Sequence, residues 1–436
     1  MIINIRNHMQ FLSFFKCFVI LFLIGLSSCN NNKEIIGDLP QIKVCLTKDM
    51  TTNVYASDFI SGIEYVILET TSQSLISNPT MSISDNYILV MGSPCMLFSR
   101  QGKFIRHIGG IGQGPGEYSN VTEIDIDEKS DMIYLSNYFD LLAYRISGEF
   151  VKKLNLVEFH KRNGYQASYR TIHWKDDLFC ANIDINSGKE LYSFVVFTLD
   201  GEVVKLFPNY VTFDKDERTT FSNYYFATTY RYNGIVNNKR DNSDTLFRLT
   251  DQLDLVPDVY FDLCGRPIPK KLNKDNYTAY THVREFLEVE NYILFKCDFG
   301  ELTPSDLPEK QFCIYDRNST NLTFCKIDPL AKLPPPLDLS MISPTATRRI
   351  TSNNSYSGLI NDIDGGLPFW PSYFMKIQSK QKLACAYQPS VMLGNLTEEY
   401  FSAHEIKDIQ AHERLKKLLE NLEEDDNPVL MIATFK

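Results

Sequence analysis

Five segments of the chain repeat one pattern, in which two apolar-rich runs flank a tight turn. The segments align without gaps and begin at Cys95, Leu141, Phe194, Asp244 and Phe312. The fourth position of each segment is aromatic, at Phe98, Tyr144, Phe197, Phe247 and Tyr315. A turn residue stands four positions later, at Gly102, Gly148, Gly201, Asp251 and Ser319. Because apolar strands around a short turn are typical of β-hairpins, the pattern predicts five hairpins.

The spacing of these hairpins predicts a β-propeller. Another strand-like run precedes each hairpin, and stretches such as VTEIDID supply a fourth strand. The aromatic positions lie 46, 53, 50 and 68 residues apart. Four-stranded propeller blades recur about every 40–50 residues, so the last interval implies an insertion. A doubly wound α/β fold needs amphipathic helices between its strands, and no such pattern occurs before residue 397.

The two ends of the chain complete the ring. Residues 398–423 have apolar positions near helical spacing, and VLMIATF then follows as a last strand. An early strand, IEYVILETT, lies at the other end. A closed propeller joins its termini in one blade. We therefore predict an all-β fold over residues 41–436, a six-bladed β-propeller of four-stranded antiparallel blades with one C-terminal amphipathic helix.

The first residues have the pattern of an export signal. Arg6 and Lys16 flank a ten-residue apolar run, which is too short to span a bilayer. The LSSC that ends at Cys29 is similar to the bacterial lipobox. We predict a lipoprotein signal peptide over 1–28, a lipidated Cys29 that anchors the protein in the membrane, and a tether over 29–40. An ordinary signal peptide with an incidental cysteine, or a short buried helix, is the alternative.

Charge and cysteine content exclude several function classes. The net charge is −10 and no basic cluster stands out, so we expect no binding to nucleic acid. The eight cysteines after Cys29 form no CxxC motif, and several lie in strand-like runs. We interpret most of them as small buried residues, with any disulfide pairing left open. HExxH and GxSxG are absent, and we predict neither a metal nor a cofactor.

The glycine-rich stretch GGIGQGPG, residues 109–116, has no nucleotide-binding register. It contains neither GxGxxG nor GxxxxGK, and a strand rather than a helix follows it. We interpret Gly112, Gly114, Pro115 and Gly116 as a structural turn between two blades, because glycine permits positive φ and proline stiffens a bend. A backbone site for an anion at the propeller rim is the alternative.

Three acids and a tryptophan are the weak candidates for ligand binding. Glu123, Asp125 and Asp127 alternate with isoleucines, so on a strand they share one face. Acids on an inner strand must be paired, face the channel or bind a cation. Trp370 is either a stacking platform for a sugar or peptide, or an ordinary packed aromatic residue. We interpret NDIDGG, residues 361–366, as a loop, because Ile360 and Pro371 stand where a calcium loop needs ligands.

The chain resembles the six-bladed β-propeller lipoproteins of gut Bacteroidota. The lipobox, GQGPGEY, SDTLFRL and DDNPVLM carry this resemblance over essentially the whole mature chain. It implies a location in the cell envelope, at the outer membrane, and no common activity. We predict a binding or scaffold module for a protein or glycan rather than an enzyme, since no catalytic signature occurs. An envelope hydrolase or lyase with its active site in the central channel is the alternative.

Overall fold

The strands of the chain form six blades around a common channel. The computed structural model describes residues 39–45, 51–77, 80–165, 167–185, 187–210, 227–240, 243–264, 281–299, 310–325, 358–372 and 375–436. Each of the five predicted hairpins is present and forms the third and fourth strands of a blade. The predicted six-bladed propeller is confirmed.

The first half of the described chain supplies three complete blades. The N-terminal segment contains β1 (Gln41–Lys43), β2 (Thr51–Thr52), α1 (Ala56–Phe59) and β3 (Ile60–Ile67). Blade 1 contains β4 (Met81–Ile83), β5 (Tyr87–Val90), β6 (Cys95–Ser99) and β7 (Phe104–Ile108). A loop with β8 (Gly110–Ile111) and β9 (Glu117–Tyr118) follows. Blade 2 contains β10 (Glu123–Asp127), β11 (Met132–Ser136), β12 (Asp140–Arg145) and β13 (Phe150–Asn155). After α2 (Leu156–Arg162), blade 3 contains β14 (Ala167–Lys175), β15 (Leu178–Ile183), β16 (Tyr192–Thr198) and β17 (Val203–Pro208).

The second half supplies the other three blades and the remaining helices. Blade 4 contains β18 (Ala227–Tyr232), β19 (Ile235–Arg240), β20 (Thr245–Leu249) and β21 (Leu255–Asp262). Blade 5 contains β22 (His282–Val289), β23 (Tyr292–Asp298), β24 (Lys310–Asp316) and β25 (Leu322–Cys325). The C-terminal region contains β26 (Met375–Ile377), β27 (Lys382–Tyr387), α3 (Pro389–Asn395), α4 (Glu398–Ala403), α5 (Ile409–Leu419) and β28 (Val429–Phe435).

The core lies between neighbouring blades. Apolar residues of one blade face those of the next, as where Leu89 and Leu97 of blade 1 meet Ile124 and Ile133 of blade 2. Four of the five repeated aromatic residues are fully buried, and Phe247 is half-buried. Strands favour such β-branched and aromatic residues because they fill the space between two pleated surfaces.

Steric constraints explain why glycine occupies three of the hairpin turns. Gly102, Gly148 and Gly201 all adopt positive φ, at 86°, 87° and 78°. A Cβ on Gly102 would lie 2.0 Å from the carbonyl oxygen of Ile67 in the preceding blade. These turns therefore need the conformational freedom of glycine.

Blade 6 joins the two ends of the chain, as predicted. Strand β28 pairs antiparallel with β27 on one side and with β3 on the other, so that Met431 lies opposite both Cys385 and Tyr65. Strand β26 crosses to the next blade and pairs in parallel with β4. Asn427 of the DDNP turn is buried and donates its amide to Glu69 O and Ser74 O. The C-terminal strand is thus held by residues that are more than 350 positions away.

Before it enters blade 6, the N-terminal segment runs along the outside of two other blades. Strand β1 pairs in parallel with β21 of blade 4, and β2 pairs in parallel with β25 of blade 5. A disulfide joins Cys45 to Cys264, with the two Cα atoms 5.7 Å apart. We call the described residues 41–45 and 51–52 the N-terminal strap. The other six cysteines of the described chain are unpaired and buried.

The C-terminal pattern predicts one helix over 398–423, whereas the structure has two, α4 and α5. The chain between them is extended, because Lys407 N and Asp408 N donate to Asp362 O and Ile363 O at 2.9 and 2.8 Å. The side chain of Asp408 then caps α5 by accepting from Ala411 N. Leu415 is buried as the amphipathic pattern implies, but Ile409 is 62% exposed. In the described part of the chain, no helix is long and apolar enough to span a bilayer.

Candidate functional site

Strand β10 brings the three predicted acids to the channel. Ile124 and Ile126 point into the core between blades 1 and 2, so the alternating acids lie on the opposite face of the strand. Asp125 is buried, whereas Glu123 and Asp127 are half-buried. Glu123 and Asp125 contact the inner strands of other blades, whereas Asp127 is half-buried on the same face of β10.

Asp125 is surrounded by groups from three other blades. Its Oδ2 lies 3.0 Å from Nη2 of Arg231 in blade 4 and 3.6 Å from Nδ1 of His173 in blade 3. The hydroxyl of Ser82 in blade 1 donates to Oδ1 at 3.2 Å, as does Ile126 N at 3.1 Å. Burial has the largest single effect and raises the pKa of Asp125, but Arg231, His173 and Lys376 together outweigh burial and hold that pKa below its usual range. The carboxylate is therefore ionised at neutral pH.

His173 contacts Arg231 through one ring nitrogen and Asp176 through the other. Nη1 of Arg231 donates to His173 Nδ1 at 3.0 Å, and arginine cannot accept a hydrogen bond. Nδ1 must therefore be unprotonated, while Nε2 donates to Asp176 O at 3.0 Å. The ring packs between Tyr134 and Phe179, with centroid distances of 4.5 and 5.3 Å. His173 supports Arg231 rather than sharing a proton with Asp125.

Glu123 forms a second group of ion pairs beside Asp125. Its carboxylate lies 2.7 Å from Nζ of Lys376 in blade 6 and 3.4 Å from Nε of Arg170 in blade 3. Lys376 also donates to Ile124 O at 3.3 Å, and the amide of Gln378 donates to Ile126 O. The inner strand β26 is thus attached to β10 by its polar side chains.

These contacts do not form a nucleophilic catalytic site. Ser82 donates to Asp125 and not to His173, and the lowered pKa of Asp125 makes its carboxylate a poor base for activating the hydroxyl. The cavity lined by Glu123, Asp125, His173 and Lys376 has a volume of about 10 Å³. That space holds one water molecule and no substrate.

A larger cavity lies at the edge of blade 1, where the chain enters and leaves that blade. Its volume is about 620 Å³, within the range of ligand pockets. Its lining is Ser72, Gln73, Leu75, Ser77, Met91, Gly92, Ser93, Pro94, Met96, His107, Asn120 and Val121. We call this cavity the blade 1 groove. None of the described residues that line it carries a carboxylate, ammonium or guanidinium group, and His107 Nε2 donates to Gln73 O at 2.8 Å.

The glycine-rich loop links blade 1 to blade 2 and folds around its own acid. Strands β8 and β9 pair in parallel, and the carboxylate of Glu117 accepts from Gly114 N at 2.8 Å. A Cβ on Gly112 would lie 2.1 Å from that carboxylate. Gly116 has a φ of 72°, and its carbonyl oxygen accepts a hydrogen bond from the hydroxyl of Tyr144. The loop's backbone donor at Gly114 is therefore taken by an internal anion.

Trp370 and the NDIDGG loop also have structural surroundings. Trp370 is half-buried and packs edge-to-face on Phe312 of blade 5, with ring centroids 4.7 Å apart. Asp362 is buried, accepts from Ser57 N and pairs with Lys407 at 2.7 Å. Asp364 accepts from Gly366 N, and the described residues contain no group of His, Cys, Asp and Glu placed to hold a metal ion.

Sequence reasoning selected the acids of β10 but missed their partners. His173, Arg231 and Lys376 lie 48, 106 and 251 residues beyond Asp125, and no known motif contains them. One signal was available. Each lies on the innermost strand of a blade, in runs such as TTYRY and MKIQ, where polar residues alternate. The blade 1 groove had no signal, because its lining comes from three separate loops. The predicted lipidation site, Cys29, lies outside the described residues.

Comparison with known proteins gives a family and a fold. A family model described as "Domain of unknown function (DUF4934)" matches residues 39–434. An exported protein of Bacteroides fragilis NCTC 9343 has a similar crystal structure, with 17% sequence identity and a TM-score of 0.59, covering 91% of this chain and 99% of that one. A DUF4221 family member from Bacteroides vulgatus is 12% identical, with a TM-score of 0.50 and coverage of 86% and 97%. At these identities the likeness shows the fold alone. No curated protein matches the chain.

Proposed function

This chain belongs to the family described as domain of unknown function DUF4934, and we propose that it is a binding module of the cell envelope, anchored by a lipid on Cys29. Its ligand is an uncharged glycan or peptide segment held in the blade 1 groove. The observation that carries the proposal is the contrast between the two cavities. The channel cavity has room for one water, whereas the groove has the volume of a ligand site.

The lining of the groove indicates the chemistry of its ligand. Serine, glutamine and asparagine side chains can donate and accept hydrogen bonds, while Leu75, Met91 and Met96 offer apolar contact. Methionine side chains adapt to different shapes, which suits a site that takes related ligands. A charged ligand would have no opposite charge in the lining to replace its hydration. The ligand is therefore neutral, with both hydroxyl or amide groups and an apolar part.

The disulfide and the family resemblance support an envelope location. Structural disulfides persist in oxidising compartments, and Cys45–Cys264 joins the N-terminal strap to blade 4. The lipobox at Cys29 supplies an anchor in the same compartment, at the outer membrane. The tether over residues 29–40 would separate the propeller from the lipid.

A single charge placed in the groove tests the binding proposal. Leu75 is 62% exposed and lines the groove, whereas Leu191 is 75% exposed on blade 3. Glycan and peptide arrays probed with the full-length protein should give ligands that Leu75→Lys no longer binds and that Leu191→Lys binds normally. Both side chains are exposed, so neither variant should unfold. Equal binding by wild type and Leu75→Lys would refute the groove as the site.

A second candidate function is a hydrolase or lyase with its active site in the channel. The observation that favours it is the convergence of ionisable side chains from blades 2, 3, 4 and 6 on one strand. These groups pair with one another, and the carboxylate that accepts from Ser82 is a poor base, so we prefer the binding module. Cleavage products in the same screens, lost in Asp125→Asn and kept in Leu75→Lys, would favour the second candidate.

A further inference from the structure

The turn that joins β11 to β12 in blade 2 borders the blade 1 groove. The matching turn of blade 1, residues 91–94, lines the groove. Both turns lie at the same end of the ring, because each connects the second strand of its blade to the third. Asn137 of blade 2 donates its side-chain amide to Asn120 O at 2.8 Å, and Asn120 lines the groove as well. We call residues 137–139 the blade 2 turn.

Hydrogen bonds within the protein fix the backbone of the blade 2 turn. Asn137 is buried, and its Oδ1 accepts from Phe139 N and Asp140 N at 2.7 and 2.8 Å. Asn137 N donates to Asp140 O at 3.0 Å, and Leu156 N donates to Phe139 O at 2.7 Å. Asparagine side chains that bond the backbone two residues further on stabilise such turns. Phe139 therefore projects from a backbone that is fixed before any ligand binds.

The side chain of Phe139 is exposed at this fixed position. Its exposed fraction is 53%, and its ring contacts Tyr138 edge-to-face with the centroids 5.4 Å apart. Leu75, in the loop that enters blade 1, is also exposed and lines the groove. Trp370, which the sequence suggested as a stacking platform, packs on Phe312 instead. Exposed apolar side chains beside a cavity of ligand size are typical of binding sites.

The hydrogen bonds of the blade 2 turn favour a sugar over a peptide as the ligand. An extended peptide is held mainly by hydrogen bonds to its backbone. The N–H groups of Asn137, Phe139 and Asp140 are already bonded inside the protein. A sugar ring needs no such partner, because the C–H groups on one of its faces pack on an aromatic ring. Its hydroxyl groups can bond to the serine and amide side chains of the groove, such as Asn120.

We propose that the ligand is a neutral glycan and that one of its sugar rings stacks on Phe139 while the next part of the chain occupies the blade 1 groove. This inference rests on the proposed binding function of the groove, to which it adds a ligand class and a residue that determines specificity. A glycan that fills the groove and reaches Phe139 has more than one sugar ring.

Titration of the full-length protein with neutral oligosaccharides tests the inference. The probes are built from glucose, xylose, mannose or galactose, and we expect at least one to bind saturably by calorimetry. Phe139→Leu keeps an apolar side chain but removes the flat ring, so it should weaken that binding about tenfold. Phe139→Trp supplies a larger ring and should bind at least as tightly as wild type. A merely structural role for this exposed side chain would not distinguish leucine from tryptophan. Melting temperatures of both variants should equal that of wild type.

A matched control removes a different exposed ring. Tyr210 is 88% exposed at the end of blade 3, and Tyr210→Leu should bind the oligosaccharide like wild type. Leu75→Lys should lose the binding, because it places a charge in the groove. Equal affinities of wild type and Phe139→Leu, with binding lost in Leu75→Lys, would refute the stacking on Phe139 and leave the groove proposal intact.

Other results would overturn the glycan itself. Saturable binding to peptides of the array and to no oligosaccharide would exclude a glycan ligand while the groove remained a binding site. Oligosaccharide binding that Phe139→Leu weakens and Leu75→Lys retains would place the glycan outside the groove and overturn both proposals. Absence of saturable binding to every oligosaccharide and every peptide would overturn both as well.

Discussion

Asp125 is ionised inside the channel because the fold gives each of its oxygens a partner. A buried carboxylate costs several kcal/mol unless charge and hydrogen bonds replace its hydration. Arg231 supplies the charge, and Ser82 with a backbone amide supplies the hydrogen bonds. None of these groups lies next to Asp125 in the chain except Ile126 N. The Asp125 carboxylate can therefore be buried and ionised only when blades 1 and 4 are in place.

Glu117 and Tyr118 show why the glycine-rich motif ends as it does. Glu117 fills the loop with its own carboxylate. The buried hydroxyl of Tyr118 accepts from Cys95 N and donates to Ile108 O, both at 2.7 Å. One side chain therefore completes the hydrogen bonds of two strand ends in blade 1. Glu117 and Tyr118 of the motif therefore both have structural roles.

The proposed lipid anchor depends on one residue, Cys29. Cys29→Ala removes the thiol that a lipid would modify, so we expect the protein to leave the membrane fraction or to remain unprocessed. Fractionation and intact-mass measurement distinguish these results, with Cys95→Ala as the control because Cys95 is buried in blade 1. A processed, unlipidated variant that still fractionates with membranes would contradict the anchor.

At the scale of elements, the N-terminal strap is the least expected feature. Parallel addition of β1 and β2 covers the outer edges of blades 4 and 5, which would otherwise present unpaired backbone groups. The strap has only three and two paired residues at these edges, too few to hold it by backbone bonds alone. The disulfide to Cys264 supplies the missing attachment.

Removing that disulfide should weaken the protein measurably. Cys264→Ser opens a covalent loop of 219 residues, so we expect the free energy of unfolding to fall by about 2–4 kcal/mol. Chemical denaturation of wild type, Cys264→Ser and Cys45→Ser provides the measurement. Wild type treated with a reductant serves as the control and should match both variants. Equal denaturation midpoints in all samples would show that the disulfide does not stabilise the protein.

At the scale of the whole molecule, the ring closes through strand β28. This strand is the centre of the β27–β28–β3 sheet, and Asn427 at its start holds the loop that leads to blade 1. The C-terminal helices pack in the same core cluster as β28, through Phe401 of α4 and Leu415 of α5. The closure therefore joins three regions that are distant in the chain.

Ending the chain before Asn427 should open the ring. The truncation removes the partner of both β27 and β3, and exposed strand edges promote association. We expect a lower melting temperature, aggregation, and proteolysis throughout the domain rather than at one end. A chain that lacks only Lys436 keeps β28 and is the matched control. Identical melts and fragment patterns for truncated and full-length protein would argue against closure through β28.

Short-range patterns in the sequence were sufficient to predict most of the fold. Hairpin turns, the aromatic fourth positions and the terminal strands are short-range patterns, and each confirmed blade follows from them. The division of residues 398–423 into α4 and α5 was not predictable, because it depends on backbone bonds from Lys407 and Asp408 to the distant loop at residues 361–366. The N-terminal strap could not be predicted either, because a strand of two or three residues has no periodicity to detect.

The sequence by itself determined that the chain folds as a closed propeller, because strand alternation, turn chemistry and blade spacing are all encoded within about 50 neighbouring residues. Only the tertiary structure decided which charges surround Asp125 and Glu123 and where a ligand has room. Those partners come from other blades, and the blade 1 groove from three loops. The inner strands meet around the channel only when the ring closes. The chemistry of the channel is therefore a property of closure and cannot be read from any one segment of the chain.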